Sequence, residues 1–418
     1  MIDFLAGLDP ANGLARDAAL FPPSPPDDLL WRALVRLDRA EVPGADGKAL
    51  NPRVVGAYGH ARQDALVRGV GEAVERYALF PQPEPGAVRG RRAELDARAL
   101  EFERCALGDR DAVDDLLTWY PARRLRDDAT VLVPAPLVDY PTADAGGRFD
   151  PGPSGAASGQ GYERALRSAL LETVERDALL VAWERQLRLW PVDAPGEGPA
   201  ADGRLRRLWD AARGAGLVPL LADLPTAVDG VTCTVAVVLD AAGRLATMGC
   251  NATDDIRWSL LGALQEALQV RSAIVNEREK QGYGTAPAAI LDDDDRLRYV
   301  ASPENYEQVS RWVSGFGRPR PPRHTEPGAA VPAARIVGDM VADGADPLAV
   351  DLTHRLPAAL RAMGWAAVKV IPAGYQPLRL NETLHFSRLT HRMNTAEDRT
   401  GLTAAAGDGP GPGPHPLP

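Results

Sequence analysis

Cysteine and long apolar runs are scarce in this chain of 418 residues. The three cysteines, Cys105, Cys233 and Cys250, show neither Cys-x-x-Cys nor zinc-ligand spacing, so the sequence indicates no disulfide framework and no cysteine-based metal site. No apolar stretch is long enough to cross a bilayer, and no basic flank precedes an apolar run at the N-terminus. These absences predict a soluble, cytoplasmic protein without a membrane partner.

An excess of positive charge is also missing. The 57 acidic residues outnumber the 47 Lys and Arg residues, which gives a formal net charge of −10. Binding to a nucleic-acid backbone needs clustered Lys or Arg side chains that neutralise phosphates, so nucleic acid is not an expected partner. The length of the chain allows two or three compact units or one large α/β domain.

What the sequence does contain is a repeated helical segment. Residues Gly71–Leu79 read GEAVERYAL, residues Leu171–Leu179 read LETVERDAL, and a weaker echo, QEALQVR, follows at Gln265–Arg271. Apolar residues recur at helical spacing around the first two copies. This pattern predicts amphipathic helices that are buried on one side, with a third helix at the echo.

Each of the first two copies carries a pair of glutamates three residues apart. Residues at this spacing are neighbours on a helix, so Glu72 lies beside Glu75 and Glu172 lies beside Glu175. Adjacent carboxylates repel unless water or a cation screens them, and two facing pairs supply hard oxygen donors suited to Mg²⁺ and its phosphate ligands. The alternative is a solvated helix face, which a single copy would favour. The recurrence of both the charges and their apolar context favours a site.

A stretch rich in Gly, Ala and Ser, residues 152–161, runs directly into the second repeat helix. The backbone N–H groups of such a loop and the positive end of the helix dipole together form an anion site. The alternative is a flexible linker. No Gly-Lys-Ser or Gly-Lys-Thr closes the loop, so it does not match the phosphate-binding loop of common nucleotide hydrolases.

Short apolar runs between the helices predict an α/β fold. The expected strands are Thr130–Val133, Leu137–Tyr140, Gly216–Leu224, Val231–Leu239, Thr247–Cys250, Pro347–Thr353 and Ala366–Pro372. The amphipathic run Leu29–Leu37 follows two aspartates and is predicted to be a helix. Residues 287–334 contain an acidic run and a Pro/Arg-rich run, and they are predicted to be a surface loop.

Together these segments resemble the YcaO superfamily of ATP-dependent enzymes that modify peptide backbones. The resemblance spans about Gly56–Gln376 and depends on the two Glu-x-x-Glu-Arg helices, the loop from Ser154, the Gln265–Arg271 echo and the strand before Pro372. It implies an α/β, YcaO-type domain with mixed sheets packed against helices that carry the repeated motif. The expected boundaries are an N-terminal extension over residues 1–45, a catalytic domain over residues 46–400 and an extended Gly/Pro-rich tail over residues 401–418.

The resemblance also implies a site for ATP and Mg²⁺. The implied metal ligands are Glu72, Glu75, Glu172 and Glu175, and the implied nucleotide-binding residues are Arg68, Ser154, Ser168, Arg176, Glu266, Gln269 and Arg271. Arg176 and Arg271 correspond to phosphate contacts, whereas Glu266 and Gln269 correspond to positions nearer the nucleoside. Arg68 is a departure, because the family often has serine at that place. Ser168 holds the equivalent place on the second helix.

The chain ends in Pro414-His415-Pro416-Leu417-Pro418, a Pro-x-Pro-x-Pro pattern. A Gly/Pro-rich end is ordinarily a disordered stub. In the YcaO members that form azoline rings, however, the chain ends with this pattern and is thought to project into the active site. The fixed φ of proline would hold a terminal carboxylate in place at little entropic cost. The candidate catalytic residues are therefore Pro414, His415, Pro416 and Pro418, with the tail carboxylate or His415 as the proton acceptor.

This pattern implies ATP-dependent cyclodehydration of Cys, Ser or Thr in a ribosomally made precursor peptide to thiazoline or oxazoline rings, the activity of the D proteins of thiazole/oxazole-modified peptide biosynthesis. No segment resembles a leader-peptide recognition domain, so a separate partner that delivers the peptide is expected. The alternatives are a relative that forms thioamides or amidines with the same ATP site, and a non-catalytic ATP-binding scaffold. The sequence leaves the substrate peptide and the oligomeric state open, a homodimer being one option.

Overall fold

Short strands alternate with helices of very different length along the chain. The computed structural model describes residues 4–39, 54–142, 147–193, 202–281, 284–320, 330–405 and 412–418. The α-helices of these residues are α1 (Phe4–Gly7), α2 (Arg62–Leu79), α3 (Tyr162–Glu184), α4 (Gly203–Gly214), α5 (Ile256–Gln281), α6 (Asp293–Val300), α7 (Pro303–Ser314), α8 (Ala333–Ala342), α9 (Ala358–Ala362), α10 (Thr390–Asn394) and α11 (Ala396–Thr400). None of these helices has the length and apolar character that a membrane span requires.

The strands form three sheets. They are β1 (Ala15–Phe21), β2 (Trp31–Leu37), β3 (Val54–Gly59), β4 (Val88–Gly90), β5 (Leu117–Arg124), β6 (Thr130–Pro134), β7 (Ala156–Gln160), β8 (Trp190–Pro191), β9 (Val218–Leu224), β10 (Thr232–Asp240), β11 (Leu245–Thr253), β12 (Leu348–Asp351) and β13 (Trp365–Ile371). The strand orders are β1-β2-β3, β11-β10-β9-β8 and β4-β5-β12-β13-β7, and β6 also pairs with β5. All of these pairs are antiparallel. The predicted α/β class, with sheets packed against helices, is confirmed.

The three repeat helices lie between the sheets. Helix α2 packs against β2 and β3 of the first sheet and against β7 and β13 of the third. Helix α3 packs against β7 and β13 on one side and against β11 on the other, while α5 packs against β10, β11 and β3. Each helix therefore contacts two sheets, and this brings segments about a hundred residues apart in sequence into one region of the molecule.

The repeat extends beyond the helices to the strand before each of them. Gly59 ends β3 and Gly159 lies in β7, and each glycine faces the first turn of the helix that follows. A Cβ on Gly59 would lie 2.3 Å from the backbone nitrogen of Ala65, and one on Gly159 would lie 2.7 Å from that of Ala165. Real side chains do not tolerate such distances, so only glycine permits this close approach of strand and helix. The same device docks α2 on β3 and α3 on β7.

The predicted helix at Leu29–Leu37 is wrong, because these residues contain the strand β2. Ala33, Val35 and Leu37 are buried at alternate positions, which is the two-residue period of a strand. Pairing with β1 and β3 on both sides decides the outcome. The predicted boundary near residue 45 consequently falls inside one sheet, since β2 belongs to the proposed extension and β3 to the proposed catalytic domain. Residue 45 itself lies outside the described residues.

Two further segments differ from prediction. Leu137–Tyr140 is not a strand: Leu137 ends a 3₁₀ turn at Ala135–Leu137, and the residues after it are irregular. In their described part, residues 287–334 contain α6, α7 and the start of α8 instead of a continuous surface loop. The acidic run begins α6, where the Asp292 side chain accepts a hydrogen bond from the backbone N–H of Asp295. Acidic residues therefore mark a helix start here, and Arg296 within that helix is buried.

Candidate functional site

The two glutamate pairs face the interior, on neighbouring helices. Neither pair lies on a fully solvated outer face, since the exposed fractions of the side chains are 32% for Glu72, 17% for Glu75, 25% for Glu172 and 8% for Glu175. Helix α2 is tied to the strand before α3 by Ser158, whose Oγ donates a hydrogen bond of 2.8 Å to the carbonyl of Gly71. Four carboxylates that are distant in sequence thereby come to one region.

On α2 the glutamate pair is screened by Arg76. Its Nε lies 2.8 Å from Oε1 of Glu72 and 3.7 Å from Oε1 of Glu75. Burial raises the pKa of Glu75 well above its ordinary value, and the charges of Glu72 and Glu172 add to the rise while Arg76 and Lys369 oppose it. The influence of Glu172 on Glu75 is the electrostatic sign that the two helices present their carboxylates to each other.

On α3 the arrangement is repeated around Arg176. Its Nη1 lies 3.2 Å from Oε1 of Glu175, and its Nη2 lies 3.6 Å from Oε1 of Glu172 and 3.8 Å from Oε1 of Glu266. Glu175 also accepts a hydrogen bond of 2.8 Å from the backbone N–H of Ala252. Burial raises the pKa of Glu175 to about 8, because the repulsion from Glu266 and Glu172 acts in the same direction and Arg176 offsets only part of the effect.

The third helix contributes Glu266 and Gln269 to the same region. Both side chains are half-buried, and their three-residue spacing places them on one face of α5. The backbone N–H of Cys250 donates to Oε2 of Glu266 at 2.5 Å, which fixes this carboxylate against β11. Gln269 lies one turn further along the helix, in keeping with the position implied for a nucleoside contact.

Arg271 does not join this group. Its Nη1 donates to the backbone carbonyls of Asp27, at 2.8 Å, and Pro26, at 3.4 Å, and its Nη2 lies 3.6 Å from Asp240. The guanidinium is buried and holds the turn before β2. Nη1 of Arg271 is thus engaged by the chain itself, whereas its buried Nε has no hydrogen-bond partner among the described residues. The implied phosphate contact of Arg271 stays a prediction.

Three other sequence-predicted residues have peripheral or backbone roles. Arg68 is exposed and its Nε pairs with Asp64 at 3.2 Å. Ser154 contributes its backbone carbonyl to the site, as described below. Ser168 is half-buried on α3, one turn before Glu172. In this arrangement Arg68 pairs with Asp64, and its implied contact with phosphate stays a prediction.

Lys369 is a site residue that sequence reasoning missed. Its side chain is 4% exposed, and its Nζ donates to the carbonyls of Gly152, at 2.7 Å, and Ser154, at 2.6 Å. Burial lowers the pKa of Lys369 to about 8, although Glu172 and Glu75 oppose the change. The available signal was its rarity: it is one of three lysines in the chain and it lies in an apolar strand. Lys369 clamps the Gly-rich loop beside the glutamate helices.

The Gly-rich loop borders a small cleft of about 50 Å³ next to Arg176. Gly155 has a φ of +81°, and a Cβ there would lie 2.4 Å from the carbonyl of Val370, so this position requires glycine. The far wall is apolar and includes Ile371, Pro372 and Leu378. The cleft thus joins the charged groups of the helices to an apolar surface.

The donor set fits a magnesium nucleotide. Carboxylate oxygens that repel one another gain from a divalent cation, and the buried Nε of Arg176, which has no hydrogen-bond partner among the described residues, is suited to a phosphate oxygen. In the described part of the chain no three Asp, Glu, His or Cys side chains are close enough to form a metal site by themselves. The carboxylates are instead interleaved with arginines.

The tail is buried, contrary to the exposed end expected from its composition. His415, Pro416 and Leu417 are buried, and Pro414 and Pro418 are half-buried. Burial lowers the pKa of His415 well below its ordinary value, and the charges of Arg296, Arg379 and Arg176 act in the same direction. The influence of Arg176 indicates that the tail lies near the second repeat helix.

Asp177, which follows Arg176 in the repeat, links α3 to a residue that lines the cleft. Its carboxylate receives two hydrogen bonds from Arg392, of 2.8 and 2.7 Å. Its Oδ1 also accepts the backbone N–H of Gln376 at 2.8 Å. Because Gln376 lines the cleft, this buried pair fixes the cleft wall relative to α3.

The fold and these groups define an α/β protein that binds ATP and Mg²⁺. The chain belongs to the YcaO family, since the family model described as "YcaO cyclodehydratase, ATP- and Mg2+-binding" matches residues 56–376. The resemblance inferred from the sequence, the fold and the two ligands are thereby confirmed. An uncharacterised protein of Methanothermobacter thermautotrophicus is 29% identical over 222 residues, which are 52% of this chain and 57% of that protein.

Solved structures share the fold. YcaO from Methanopyrus kandleri, bound with AMPPCP and Mg²⁺, has a TM-score of 0.66 and 20% identity over 91% of this chain and 90% of that one. A heterocyclase in complex with substrate and cofactor has a TM-score of 0.70 and 18% identity over 91% of this chain and 52% of that one. A chain of the E. coli microcin synthetase McbBCD complex has a TM-score of 0.59 and 12% identity over 90% and 95%. The chain therefore spans about half the length of the heterocyclase and 57% of the curated relative.

Proposed function

We propose that this protein is an ATP-dependent cyclodehydratase that converts Cys, Ser or Thr residues of a ribosomally made peptide into thiazoline or oxazoline rings. The observation that carries the proposal is the burial of the Pro-x-Pro-x-Pro tail against α3, the helix of the second Glu–Arg group, where Nε1 of Trp183 donates a hydrogen bond of 3.0 Å to the carbonyl of Gly413. A similar fold in a heterocyclase and in a microcin synthetase supports the same reaction class.

The reaction has two stages. In the first, the thiol or hydroxyl attacks the preceding amide carbonyl, its proton passes to a base, and the γ-phosphoryl of ATP is transferred to the amide-derived oxygen with release of ADP. In the second, the C–O bond breaks as phosphate leaves, the nitrogen lone pair forms the C=N bond, and the N–H proton passes to a base. The peptide loses the elements of one water per ring, and ATP becomes ADP and phosphate.

The residues of the site are assigned roles from their charges. Glu72, Glu75, Glu172 and Glu175 would hold Mg²⁺, which neutralises phosphate charge when bound. Arg176 would contact phosphate through its unpaired Nε, and Arg76 would balance the first glutamate pair. Phosphoryl transfer needs mainly positioning and charge neutralisation, and this set supplies both.

The proton acceptor is assigned to the carboxylate of Pro418. The ring of His415 is engaged with the protein, because Nε2 lies 2.7 Å from the carbonyl of Arg379 and must donate its hydrogen to that oxygen. The lowered pKa of His415 also makes its ring a weak base. A terminal carboxylate held by prolines has no such constraint.

A precursor peptide and a separate peptide-delivering protein are proposed as partners. The E. coli neighbour is a microcin synthetase complex that is also known with pro-MccB17 bound, and the corresponding chain there is of similar length. A chain of this kind would act on a peptide that another subunit presents.

Mass analysis of a Cys-rich peptide tests the proposal. The peptide is incubated with this protein, its partner and Mg·ATP, and the expected result is loss of one water per ring. E175Q should abolish the change, whereas E163Q, an exposed substitution on the same helix, should leave it intact. Retention of mass, or replacement of oxygen by sulfur or nitrogen, would instead favour the scaffold or the thioamide and amidine alternatives.

A further inference from the structure

The C-terminal segment lies in a buried charged seat. This tail seat consists of Arg296 on α6, Glu184 on α3, and Arg379 and Glu382 between β13 and α10. Nη1 of Arg296 lies 2.8 Å from Oε1 of Glu382. Arg379 pairs with Glu382 at 3.1 Å and also with Glu184. The two arginines are each 1% exposed, and two carboxylates balance their charges. Buried charges persist only when they are paired in this way.

Arg296 holds the tail directly. Its Nη1 donates to the carbonyl of His415 at 2.8 Å, and its Nη2 donates to the carbonyls of Arg379, at 2.9 Å, and Leu380, at 3.3 Å. The backbone N–H of His415 donates in turn to Glu382 at 3.2 Å. One planar guanidinium thus joins the tail to the segment that carries the rest of the seat.

The ring of His415 is locked in one tautomer by the same segment. Nε2 donates to the carbonyl of Arg379, so Nδ1 carries a lone pair and no hydrogen. Nδ1 is buried and has no hydrogen-bond partner among the described residues. This state differs from that of an exposed histidine, and it gives the seated tail a spectroscopic signature.

Helix α3 connects the seat to the nucleotide groups. Trp183, near the end of this helix, donates from Nε1 to the carbonyl of Gly413 at 3.0 Å, and Gln308 on α7 accepts the N–H of Gly413 at 2.7 Å. Arg176 lies two turns before Trp183, a distance of about 10 Å along the axis at 1.5 Å per residue. A rigid helix therefore fixes the tail relative to the arginine that would meet phosphate.

We propose that Arg296 is a positioning residue that fixes the C-terminal segment relative to Arg176, so that the tail is a built-in part of the site and not a mobile arm. The inference rests on the proposed function for its effect on turnover, but the seating of the tail is independent of that function. Arg296 acts through His415 and Glu382 and does not touch substrate.

The test compares R296M, R296K and the control R298M, which changes an exposed arginine on the same helix. The ¹⁵N chemical shifts of protein labelled with ¹⁵N-histidine report the protonation state of the His415 ring, and H415N assigns its signal. The kinetics of each variant are measured in parallel on a precursor peptide.

In wild type the ring should stay in the Nε2–H form without titrating near pH 6.5. R296M should give a titrating ring and a kcat lower by about 100-fold with the KM for ATP unchanged, because small misplacements of reacting groups cost about that much. R296K should retain more activity than R296M.

The two measurements test separate parts of the proposal: that Arg296 holds the tail, and that the position of the tail matters for turnover. A released ring with normal kcat would show that the seat is only structural, and an unchanged ring in R296M would show that Arg296 does not hold the tail. If R296M does not fold, Q308A, which removes the acceptor for Gly413, is measured in the same two ways. A wild-type protein that forms no rings but shows the locked ring would overturn the proposed function and leave the seat intact.

Discussion

Glu175, one of the proposed metal ligands, occupies a position where its ionised form costs stability. It is the most buried of the four carboxylates, and its pKa is raised to about 8 because burial and two neighbouring carboxylates outweigh Arg176. A side chain selected only for stability at this position would be neutral. An ionisable side chain is thus retained in an environment that opposes its charge, which is typical of functional sites.

We expect E175Q to raise the free energy of unfolding by about 1 kcal/mol at pH 8 in Mg²⁺-free buffer, and by less at pH 5. The folded-state pKa of about 8 lies above the ordinary value of 4.5. The folded state therefore binds the proton more tightly, and wild-type stability falls as the pH rises from about 4.5 to about 8, whereas glutamine does not titrate. Urea unfolding at both pH values measures the difference. A gain for E175Q that does not depend on pH would contradict this account, and E163Q should show no gain.

Lys369 supports the Gly-rich loop by two hydrogen bonds to carbonyls. In K369M the loop loses both bonds, and Glu172 and Glu75 lose a neighbouring positive charge. We expect the affinity for a non-hydrolysable magnesium nucleotide to fall about tenfold, the equivalent of about 1.4 kcal/mol. Titration calorimetry measures the affinity, and circular dichroism verifies the fold. Unchanged affinity in a folded K369M variant would remove Lys369 from the site.

At the scale of elements, the unit of construction is a strand, a close glycine contact and a helix. The charges within each helix could be recognised in the sequence because they recur with their apolar context. The glycine before each helix was not recognised, since its significance depends on the distance between strand and helix. Its position at the same offset in both copies was the available signal.

The element scale gives a test with glycine. G159A should lower the free energy of unfolding by about 2–3 kcal/mol, because the new Cβ would lie 2.7 Å from the nitrogen of Ala165 and would force α3 away from β7. G338A is the matched control, since it places a methyl group on the exposed face of α8 with nothing within 4 Å and should stabilise the protein by up to about 1 kcal/mol. Chemical denaturation of both variants distinguishes the effects. If G159A were as stable as G338A, the contact between β7 and α3 at Gly159 would have room for a side chain.

At the scale of the whole molecule, distant segments decide what local patterns cannot. The run Leu29–Leu37 carries both a helix-start signal and alternating apolar residues, and its neighbours β1 and β3 select the strand. Arg271 matches a motif position, yet its Nη1 donates to the carbonyls of Pro26 and Asp27, which the local sequence does not indicate. The three repeat helices and most of the expected strands were predictable because their periodicity is local.

The C-terminal tail is the longest segment whose structure depends on distant residues. A Gly/Pro-rich end predicts exposure, and no sequence pattern near residue 415 predicts the tail seat. Its charged residues come from α3, α6 and the segment after β13, so only the folded chain assembles it. Removing the tail is therefore expected to cost stability.

Deletion of residues 412–418 should lower the free energy of unfolding by about 3 kcal/mol, since Leu417 is buried and Arg296 would lose an acceptor. One glycine added after the half-buried Pro418 should change stability by less than about 0.5 kcal/mol while it displaces the terminal carboxylate. Urea unfolding compares the two, and ring formation should fall in both. A truncated protein as stable as the full chain would contradict the seated tail.

The central claim is that ATP phosphorylates the amide-derived oxygen of the peptide at the Glu–Arg site. The most direct measurement follows that oxygen from a peptide whose backbone carbonyls carry ¹⁸O, incubated with this protein, its partner and Mg·ATP. The account predicts one ¹⁸O in each phosphate released and one phosphate for each ring formed. Rings formed together with unlabelled phosphate would contradict it, because the oxygen would then have left by another route.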